Sequence, residues 1–425
     1  MDDIVELVVE RPVAGGRMLA RRDGAVVLVA GAIPGERIRA RITRATRSVT
    51  LAETVDVIEA SPDRRTPGCD VECGGMLYAH IAYARQRQLK GEVIADALRR
   101  LGKLTLDAPP EVAASPETGY RLRARLHVRH RRAGFFLEGT HTLCDAAATG
   151  QLREDTWGAV EGLLSAFDDR LAECESLIVA ENVSATERVV HLEPKTGARL
   201  GDAAVDIAAL PGLTGVTAAI GGRVVPLAGA PSVTDTASDL FFDTPPVPAE
   251  VFWTRRAASF FQGNRYLTGP LVAHVLRSAG GAGRVVDCYA GVGLFTVAFA
   301  ASGANVIAIE GDRTAAIDLE FNARPWGDRV VVEHRPVEEV MRRSPAERSD
   351  VVVLDPPRTG LSRDALAGVI AWRVPRLVYV SCDPPTLARD AAHLRDAGYA
   401  LQSIAGFDLF PNTPHVETVA VFETA

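Results

Sequence analysis

Strand-like runs that alternate with helix-like stretches are the feature that most constrains the fold of this chain. In the C-terminal part, short runs rich in β-branched residues begin at Val285, Asn305, Val330, Asp350 and Leu377. Parallel strands need a long crossover connection, which is usually a helix. The alternation therefore predicts an α/β domain with a doubly wound, mostly parallel sheet.

The last two strand-like runs depart from this alternation. Leu401–Phe410 and His415–Phe422 are joined by the short turn Pro411–Pro414, which leaves no room for a crossover helix. Strands joined so closely pair antiparallel. We therefore expect an antiparallel C-terminal pair at the edge of the sheet, with Glu417 on an edge strand near the carboxyl end of the sheet.

The first part of the chain has a different pattern. Within residues 1–58, short apolar runs alternate with Gly-rich turns such as Gly15-Gly16 and Pro34-Gly35. Closely spaced strands with such turns are typical of a small β-barrel.

Between these two parts lies a region of mixed character. An amphipathic helix is predicted from Tyr83 to Gly102, and β-like runs alternate with loops from residue 120 to about 245. A chain of 425 residues is too long for one ordinary core. We expect three domains: a barrel at 1–58, a central α+β domain at 59–245 and the α/β domain at 246–425.

Composition favours a protein of the reducing cytoplasm. Six cysteines scattered over the chain do not make a disulfide framework. The segment Met1–Glu6 is acidic and lacks the apolar core of a signal peptide, and no apolar run is long enough to span a bilayer. We expect a cytoplasmic monomer with no membrane contact.

The arginines are clustered although the net charge is −7. Arg121, Arg123, Arg125, Arg129 and Arg131 occupy odd positions in a stretch without acidic residues. On a strand these side chains share one face. Such a basic ribbon suits an RNA phosphate track, but the solvated outer face of an antiparallel sheet explains it equally well.

One group of cysteines has a spacing that suggests a metal. Cys69, Cys73 and the distant Cys144, with Gly-Gly after Cys73, are arranged partly like the ligands of an iron–sulfur cluster. Met76 stands at the third ligand position and is a poor ligand. We therefore favour the absence of a cluster over one held by three thiolates.

The turn after the first strand of the α/β domain indicates the cofactor. Asp287-x-Tyr-Ala-Gly-Val-Gly293 lacks the third glycine of the dinucleotide fingerprint, and Asp287 would repel a pyrophosphate. A cofactor with a cationic amino-acid end suits this loop, with Glu310 accepting hydrogen bonds from ribose hydroxyls. This predicts S-adenosylmethionine, and a nicotinamide cofactor is the alternative.

A cysteine at a strand end indicates the chemistry. Pro384 and Pro385 stop the strand that leads to Cys382, so its thiol lies at the carboxyl edge of the sheet. Most free cysteines are simply small buried hydrophobes. However, methylation of uracil C5 needs a thiolate that adds to C6 and a base that removes the C5 proton. Glu417 can supply that base.

Five motifs occur in the order typical of the RNA 5-methyluridine methyltransferases. They are Ser259-Phe-Phe-Gln-Gly-Asn264, Asp287–Gly293, Leu354-Asp-Pro-Pro-Arg-Thr-Gly360, Tyr379-Val-Ser-Cys-Asp-Pro-Pro-Thr-Leu-Ala-Arg-Asp390 and Phe410-Pro-Asn-Thr-Pro-His-Val-Glu-Thr-Val419. The chain resembles this family over essentially its whole length. The segments Gly16–Gly24 and Val29–Glu36 also resemble the TRAM domain, an RNA-binding barrel.

The resemblance implies a Rossmann-like class I methyltransferase domain in which Cys382 is the nucleophile and Glu417 the base. Residues expected to line the cofactor or target-base pocket are Gln262, Tyr289, Glu310 and Asp355. Arg358 would steady the enolate or a phosphate. The expected partner is ribosomal or transfer RNA.

Three residues depart from the family pattern. Gly263 stands where the family usually has a bulkier residue, Leu294 where a polar cofactor contact often lies, and Asn412 where glutamine is common. Two other functions are left open by the motifs. One is methylation of cytosine C5 or of a base amine, for which Asp355-Pro-Pro would also be suitable. The other is RNA binding without catalysis.

Overall fold

The computed structural model describes residues 4–46, 49–197, 206–343 and 349–424. At its N-terminal end, five strands close into a barrel in the order β1-β2-β3-β5-β4. These strands are β1 (Ile4–Pro12), β2 (Met18–Arg22), β3 (Ala25–Ala30), β4 (Arg37–Ala45) and β5 (Thr50–Glu59). Alternate residues of β1 point inward and are buried, as the barrel interior requires. The predicted barrel is confirmed.

The central region combines a helix with an antiparallel-rich sheet. The predicted helix is confirmed as α1 (Tyr83–Ala97), which continues into one π-helical turn at Leu98–Gly102. After it come β6 (Val112–Ala113), β7 (Arg123–Arg129), β8 (Arg132–Gly134), α2 (Glu154–Phe167), β9 (Cys174–Glu181), β10 (Arg188–Pro194), β11 (Gly215–Ile220) and β12 (Arg223–Gly229). All of these strands except β6 form a six-stranded sheet in the order β12-β11-β10-β9-β7-β8.

A short hairpin-like pair links this region to the α/β domain. β13 (Ser232–Thr236) pairs antiparallel with β14 (Phe252–Arg256), and α3 (Ala237–Leu240) lies between them in the chain. Trp253 of β14 is fully buried, and its indole N–H donates to the Leu294 carbonyl at 3.2 Å. The pair therefore packs against the start of the α/β domain.

The α/β domain is built on an eight-stranded sheet in the order β17-β16-β15-β18-β19-β21-β20-β6. Its elements are α4 (Thr268–Ser278), β15 (Arg284–Cys288), α5 (Leu294–Ala301), β16 (Asn305–Ile309), α6 (Arg313–Ala323), β17 (Val330–Glu333), α7 (Val337–Met341), β18 (Val351–Leu354), α8 (Arg363–Trp372), β19 (Arg376–Ser381), α9 (Pro384–Asp396), β20 (Tyr399–Phe407) and β21 (Glu417–Thr424). Strands β15 to β19 are parallel to one another. The strand order reverses between β15 and β18, which is where open α/β sheets bind ligands. The predicted doubly wound sheet is confirmed.

The position of the C-terminal strands corrects one prediction. β21 lies between β19 and β20 and pairs antiparallel with both. β20 also pairs with the two-residue strand β6, which contributes the edge of the sheet. The expectation that the C-terminal pair forms the edge, with Glu417 on an edge strand, is therefore wrong. A strand as short as β6 has no pattern that sequence reasoning can detect.

A buried ion pair joins the central helix to the end of the chain. Lys90 of α1 and Asp408 after β20 are both fully buried, and Nζ lies 2.5 Å from Oδ1. Lys90 also donates to the Phe410 carbonyl at 3.2 Å. Burial pushes the pKa of Lys90 below its usual range and that of Asp408 above it, so each group depends on the other to stay charged.

Within the described parts of the chain, no helix combines the length and apolarity needed to cross a membrane.

Removal of one member of the Lys90–Asp408 pair should be costly. Lys90→Met leaves Asp408 buried without its partner, and such changes cost about 3–5 kcal/mol of unfolding free energy. Urea denaturation followed by tryptophan fluorescence measures the loss. The matched control is Arg342→Met, because Arg342 pairs with Asp364 at the surface and exposed pairs contribute no more than about 1 kcal/mol. Equal losses for the two variants would contradict the structural role of Lys90.

Candidate active site

One cleft, of about 580 Å³, opens at the carboxyl ends of the parallel strands. It collects all of the residues that the sequence predicts to act in catalysis or to line the cofactor and target-base pocket. They are Gln262, Tyr289, Glu310, Asp355, Arg358, Cys382 and Glu417. These residues come from six separate segments of the chain, and the sheet brings their side chains to one place. Their individual roles remain predictions.

Cys382 is the first of the two residues that connect β19 to α9. Asp383 caps α9 by accepting a hydrogen bond from the Thr386 N–H at 2.9 Å. Pro384 and Pro385 occupy the first helical positions, where a missing N–H costs nothing. The prolines therefore begin a helix as well as ending the strand, and they fix the thiol at the edge of the sheet.

The surroundings of Cys382 favour the neutral thiol. Burial, followed by the negative charge of Glu417, raises the pKa of Cys382 to about 12. Asp355 acts in the same direction, whereas Arg358 opposes it through its charge and a hydrogen bond to the thiol. Arg358 is thus the group that stabilises a thiolate in this cleft.

Glu417 lines the same cleft from the start of β21, a strand that runs antiparallel to β19. Because β21 runs antiparallel to β19, its first residues lie beside the end of β19, with Thr418 paired to Ser381. The Glu417 side chain is only 5% exposed. Burial and the nearby Asp355 raise its pKa well above the usual value, and Arg358 lowers it. An acid whose pKa is raised in this way is suited to proton transfer near neutral pH.

Two more carboxyl groups lie near this pair, namely the fully buried Asp287 and the partly buried Asp355. Burial raises the pKa of Asp287 to about 7, despite a 2.5 Å hydrogen bond from the Thr296 hydroxyl. Burial and the charge of Asp287 raise the pKa of Asp355 to about 7 as well. The second carboxyl oxygen of Asp287 is buried without a hydrogen-bond partner. Positive charge is therefore what this part of the site lacks, which fits a cationic cofactor.

The glycine-containing loop after β15 shapes the cofactor side of the cleft. Tyr289 has a φ of 61°, an unusual left-handed conformation for a bulky residue. Glu310 holds the loop, since its carboxylate accepts hydrogen bonds from the N–H of Gly291 at 2.7 Å and of Asp312 at 2.6 Å. Each Glu310 oxygen keeps a lone pair with which it can bind a ribose hydroxyl.

Two of the residues that depart from the family pattern have structural explanations. A side chain at Gly263 would lie 3.3 Å from the Phe410 ring, so that ring already fills the space beside the buried Gln262. Asn412 adopts a left-handed conformation, with φ of 64°, which asparagine tolerates better than glutamine. Its side-chain oxygen accepts hydrogen bonds from Gln86 and Arg65. Asn412 therefore anchors the turn before Glu417 to the central region.

Several cleft residues were not predicted as pocket residues, and three of them have side chains that can contact a ligand. They are Arg123, Phe260 and Asp312. The sequence placed Arg123 on a basic strand face but gave no sign that this face ends at the cleft. Phe260 is 63% exposed at the rim. Its place in Ser259–Asn264, beside Gln262, was the signal that could have identified it.

The candidate iron–sulfur ligands do not form a metal site. Cys73 and Cys144 are joined in a disulfide, with 5.6 Å between their Cα atoms. Cys69 remains a free thiol whose pKa is raised by burial and by Asp70. Among the described residues, no group of three or more His, Cys, Asp or Glu side chains could hold a metal ion. The iron–sulfur hypothesis is therefore unsupported, and two thiols expected to be free are paired.

Comparison with known proteins places this cleft in a chemical context. The model of the tRNA (Uracil-5-)-methyltransferase family matches residues 345–424, which include Cys382 and Glu417. An uncharacterized RNA methyltransferase of Streptomyces avermitilis is 32% identical, over 97% of this chain and 97% of its own length. The 23S rRNA (uracil(1939)-C(5))-methyltransferase RlmD of Pseudomonas putida is 30% identical, over 98% of this chain and 93% of its own length.

The fold of this protein also matches that of a solved structure. The tRNA (uracil-54, C5)-methyltransferase of Pyrococcus abyssi, in complex with S-adenosyl-L-homocysteine, superposes with a TM-score of 0.74 at 22% identity. The match covers 98% of this chain and 99% of the other, so the two share one fold throughout. Together with the relatives that align over nearly the whole chain, these likenesses show that this protein belongs to the S-adenosylmethionine-dependent RNA (uracil-C5)-methyltransferases.

Proposed function

We propose that this protein methylates C5 of one specific uridine in RNA through a covalent bond between Cys382 and C6 of the uracil ring. The observation that carries the proposal is that Cys382 and Glu417 line one cleft, together with Asp355 and Arg358. A thiol and a carboxyl group so placed can act on the two adjacent carbons of a single pyrimidine. Because C5 and C6 are covered in a base stack, the uridine has to be flipped out to reach them.

The first step is addition of sulfur to the ring. Cys382, as the thiolate, forms a bond to C6, and the electron pair of the C5–C6 double bond moves to C5 and the O4 carbonyl as an enolate. Arg358 supports this step by stabilising negative charge first on sulfur and then on the enolate. Asp355, in its protonated form, can donate a hydrogen bond to the uracil edge.

The second step transfers the one-carbon group. S-adenosylmethionine supplies the methyl group, activated on a positively charged sulfur, and that charge also favours ionisation of the surrounding acids. Gln262, Tyr289 and Glu310 are the residues proposed to hold it. C5 would gain the methyl group as the enolate electrons form the new carbon–carbon bond, while the bond from the methyl carbon to the sulfonium sulfur breaks and its electron pair stays on sulfur, which leaves S-adenosylhomocysteine.

The third step restores the aromatic ring. Glu417 removes the remaining proton from C5, the electrons of that C–H bond re-form the C5–C6 double bond, and the C6–S bond breaks. Cys382 leaves as the thiolate, ready for another turnover. Glu417 then carries one proton, which it must lose to solvent, and its raised pKa sets the pH at which it is competent as a base.

Ribosomal RNA is the substrate to test first, because the Pseudomonas putida relative is named for 23S rRNA. Transfer RNA is the second, because the Pyrococcus abyssi protein of the same fold is named for tRNA. Nucleoside analysis of both RNAs after reaction in vitro with labelled S-adenosylmethionine identifies the substrate and the modified base. Label in 5-methylcytidine or in an N-methylated base, with none in 5-methyluridine, would refute the proposal.

Replacement of the nucleophile should abolish methyl transfer. Cys382→Ala removes the sulfur that activates C5, so the rate of label transfer to RNA should fall by on the order of 10⁴-fold, while RNA affinity stays within about twofold. Cys174→Ala is the matched control, because Cys174 is a buried free cysteine of the central sheet. Substantial transfer by Cys382→Ala would exclude Cys382 as the nucleophile.

Replacement of the base should stop the reaction at the adduct. Glu417→Gln can still form the C6–S bond and accept the methyl group, but nothing removes the C5 proton. A protein–RNA species that survives a denaturing gel should therefore accumulate. The double variant Cys382→Ala/Glu417→Gln should show none. Normal turnover by Glu417→Gln would rule out Glu417 as the base.

The buried acids make stability depend on pH. The pKa of Asp355 rises from an ordinary value of 3.8 to about 7 in the folded protein. The folded state therefore holds this proton more tightly than the unfolded chain, and the resulting stabilisation is lost as pH rises through about 7. The Tm of the cofactor-free protein should fall from pH 5.5 to pH 8 in differential scanning fluorimetry.

Asp355→Asn should flatten this dependence, and Asp364→Asn, at an exposed position, should leave it unchanged. An identical slope for Asp355→Asn and the unmodified protein would show that Asp355 ionises normally.

A further inference from the structure

We infer that Arg123 binds a phosphate of the RNA backbone beside the flipped uridine, at the wall of the active-site cleft. This inference rests on the proposed function, because it concerns the RNA that presents the target base. It adds a binding residue, in the central region, to a site otherwise built by the α/β domain.

The hydrogen bonding of Arg123 is incomplete. Arg123 is the first residue of β7 and lines the cleft. One terminal nitrogen donates to the Ala258 carbonyl at 3.3 Å. The Nε–H is buried and has no hydrogen-bond partner. Over the described ranges of the chain, Arg123 forms no ion pair with a carboxylate, and Glu193, whose charge acts on it from a distance, is already paired with Arg125.

The neighbouring arginines differ from Arg123 in this respect. Arg125 is paired with Glu193, and Arg255 is paired with the fully buried Asp235. Arg121 is bound to Gln151 and lies over the rings of Phe135 and Phe410. All three therefore have partners within the protein that explain their presence.

The charge on Arg123 is costly to keep in the apo protein. Burial, with repulsion from Arg125 and Arg121, lowers its pKa to about 10, so it is still protonated at neutral pH. A partly buried cation without a partner destabilises a fold. This cost is offset when an anionic ligand binds and pairs with the guanidinium. The planar guanidinium is suited to a phosphate.

Two anions can reach this cleft, namely the carboxylate of the cofactor and the RNA backbone. The cofactor loop residues belong to the α/β sheet, whereas Arg123 begins a strand of the central sheet. From Arg123 the same strand face continues through Arg125 to the exposed Arg129, a distance of about 20 Å at strand spacing. A small cofactor cannot follow such a row, but an RNA chain can. The phosphate is therefore the better match.

A phosphate at this place has a role in catalysis. Contacts to the backbone fix the position of a nucleic acid, and a flipped base needs its two flanking phosphates to be held. Arg123 supplies the positive charge for such a contact at the wall of the cleft.

The test compares Arg123→Gln with Arg170→Gln. Arg170 packs on Phe167 and donates only to backbone carbonyls, so it serves as a control on the same domain. The probe is an RNA fragment that carries the uridine identified by nucleoside mapping. We expect Arg123→Gln to weaken RNA binding about tenfold or more and to reduce the salt dependence by about one phosphate contact.

The affinity for S-adenosylmethionine, measured by calorimetry without RNA, should be unchanged in Arg123→Gln. This also shows that the variant is folded. A weakened cofactor affinity with normal RNA binding would instead assign Arg123 to the cofactor carboxylate and overturn the inference.

RNA in which one phosphate is replaced by an uncharged linkage identifies the phosphate that Arg123 contacts. Methylphosphonate is placed in turn at each linkage that flanks the target uridine. At one of these positions the unmodified protein should lose as much affinity as Arg123→Gln loses with normal RNA, and combining the two changes should cost nothing further. Fully additive losses at every position would refute the contact. If the unmodified protein does not methylate RNA at all, the proposed function fails instead.

Discussion

Mutual repulsion among crowded acidic groups is the interaction on which this active site depends. Asp287 and Glu417 are buried, Asp355 and Cys382 are partly buried, and the pKa values of Asp355, Glu417 and Cys382 are each raised by a neighbouring acid as well as by desolvation. Arg358 is the cation that opposes this effect on both Cys382 and Glu417. In the resting protein these effects favour the protonated forms of the acids and of the thiol. In the proposed mechanism the positive charge of the cofactor favours their ionisation, which links the reactivity of the thiol to cofactor binding.

The topology of the sheet creates this crowding. Asp287 and Asp355 come from the two strands at the switch point, and Cys382 comes from the end of the next strand. Glu417 joins them only because β21 is inserted antiparallel between β19 and β20. The turn that leads into β21 is held from outside the sheet by the buried Lys90–Asp408 pair and by the hydrogen bonds of Asn412. The central region thus holds the segment that positions Glu417, the proposed base.

Much of this arrangement could be predicted from sequence, for identifiable reasons. Strand–helix alternation predicts the parallel sheet, and strand-end motifs predict that Cys382 and Asp355 meet at its edge. The insertion of β21 could not be predicted, because its neighbour β6 is two residues long and carries no pattern. The Cys73–Cys144 disulfide joins residues 71 positions apart, and such pairings cannot be read from spacing. The alternation of arginines along the predicted strand also placed Arg123 on one face with its neighbours. It did not show that the cleft lies at the end of that face.

The most direct test of the account uses RNA in which the target uridine carries fluorine at C5. Sulfur addition and methyl transfer can then proceed, but no proton is present for Glu417 to remove. The account predicts a stable complex in which mass spectrometry finds the methylated fluoropyrimidine attached to the peptide that contains Cys382. A reaction mixture with methylated RNA and unmodified Cys382, or with the nucleotide attached to another residue, would contradict it.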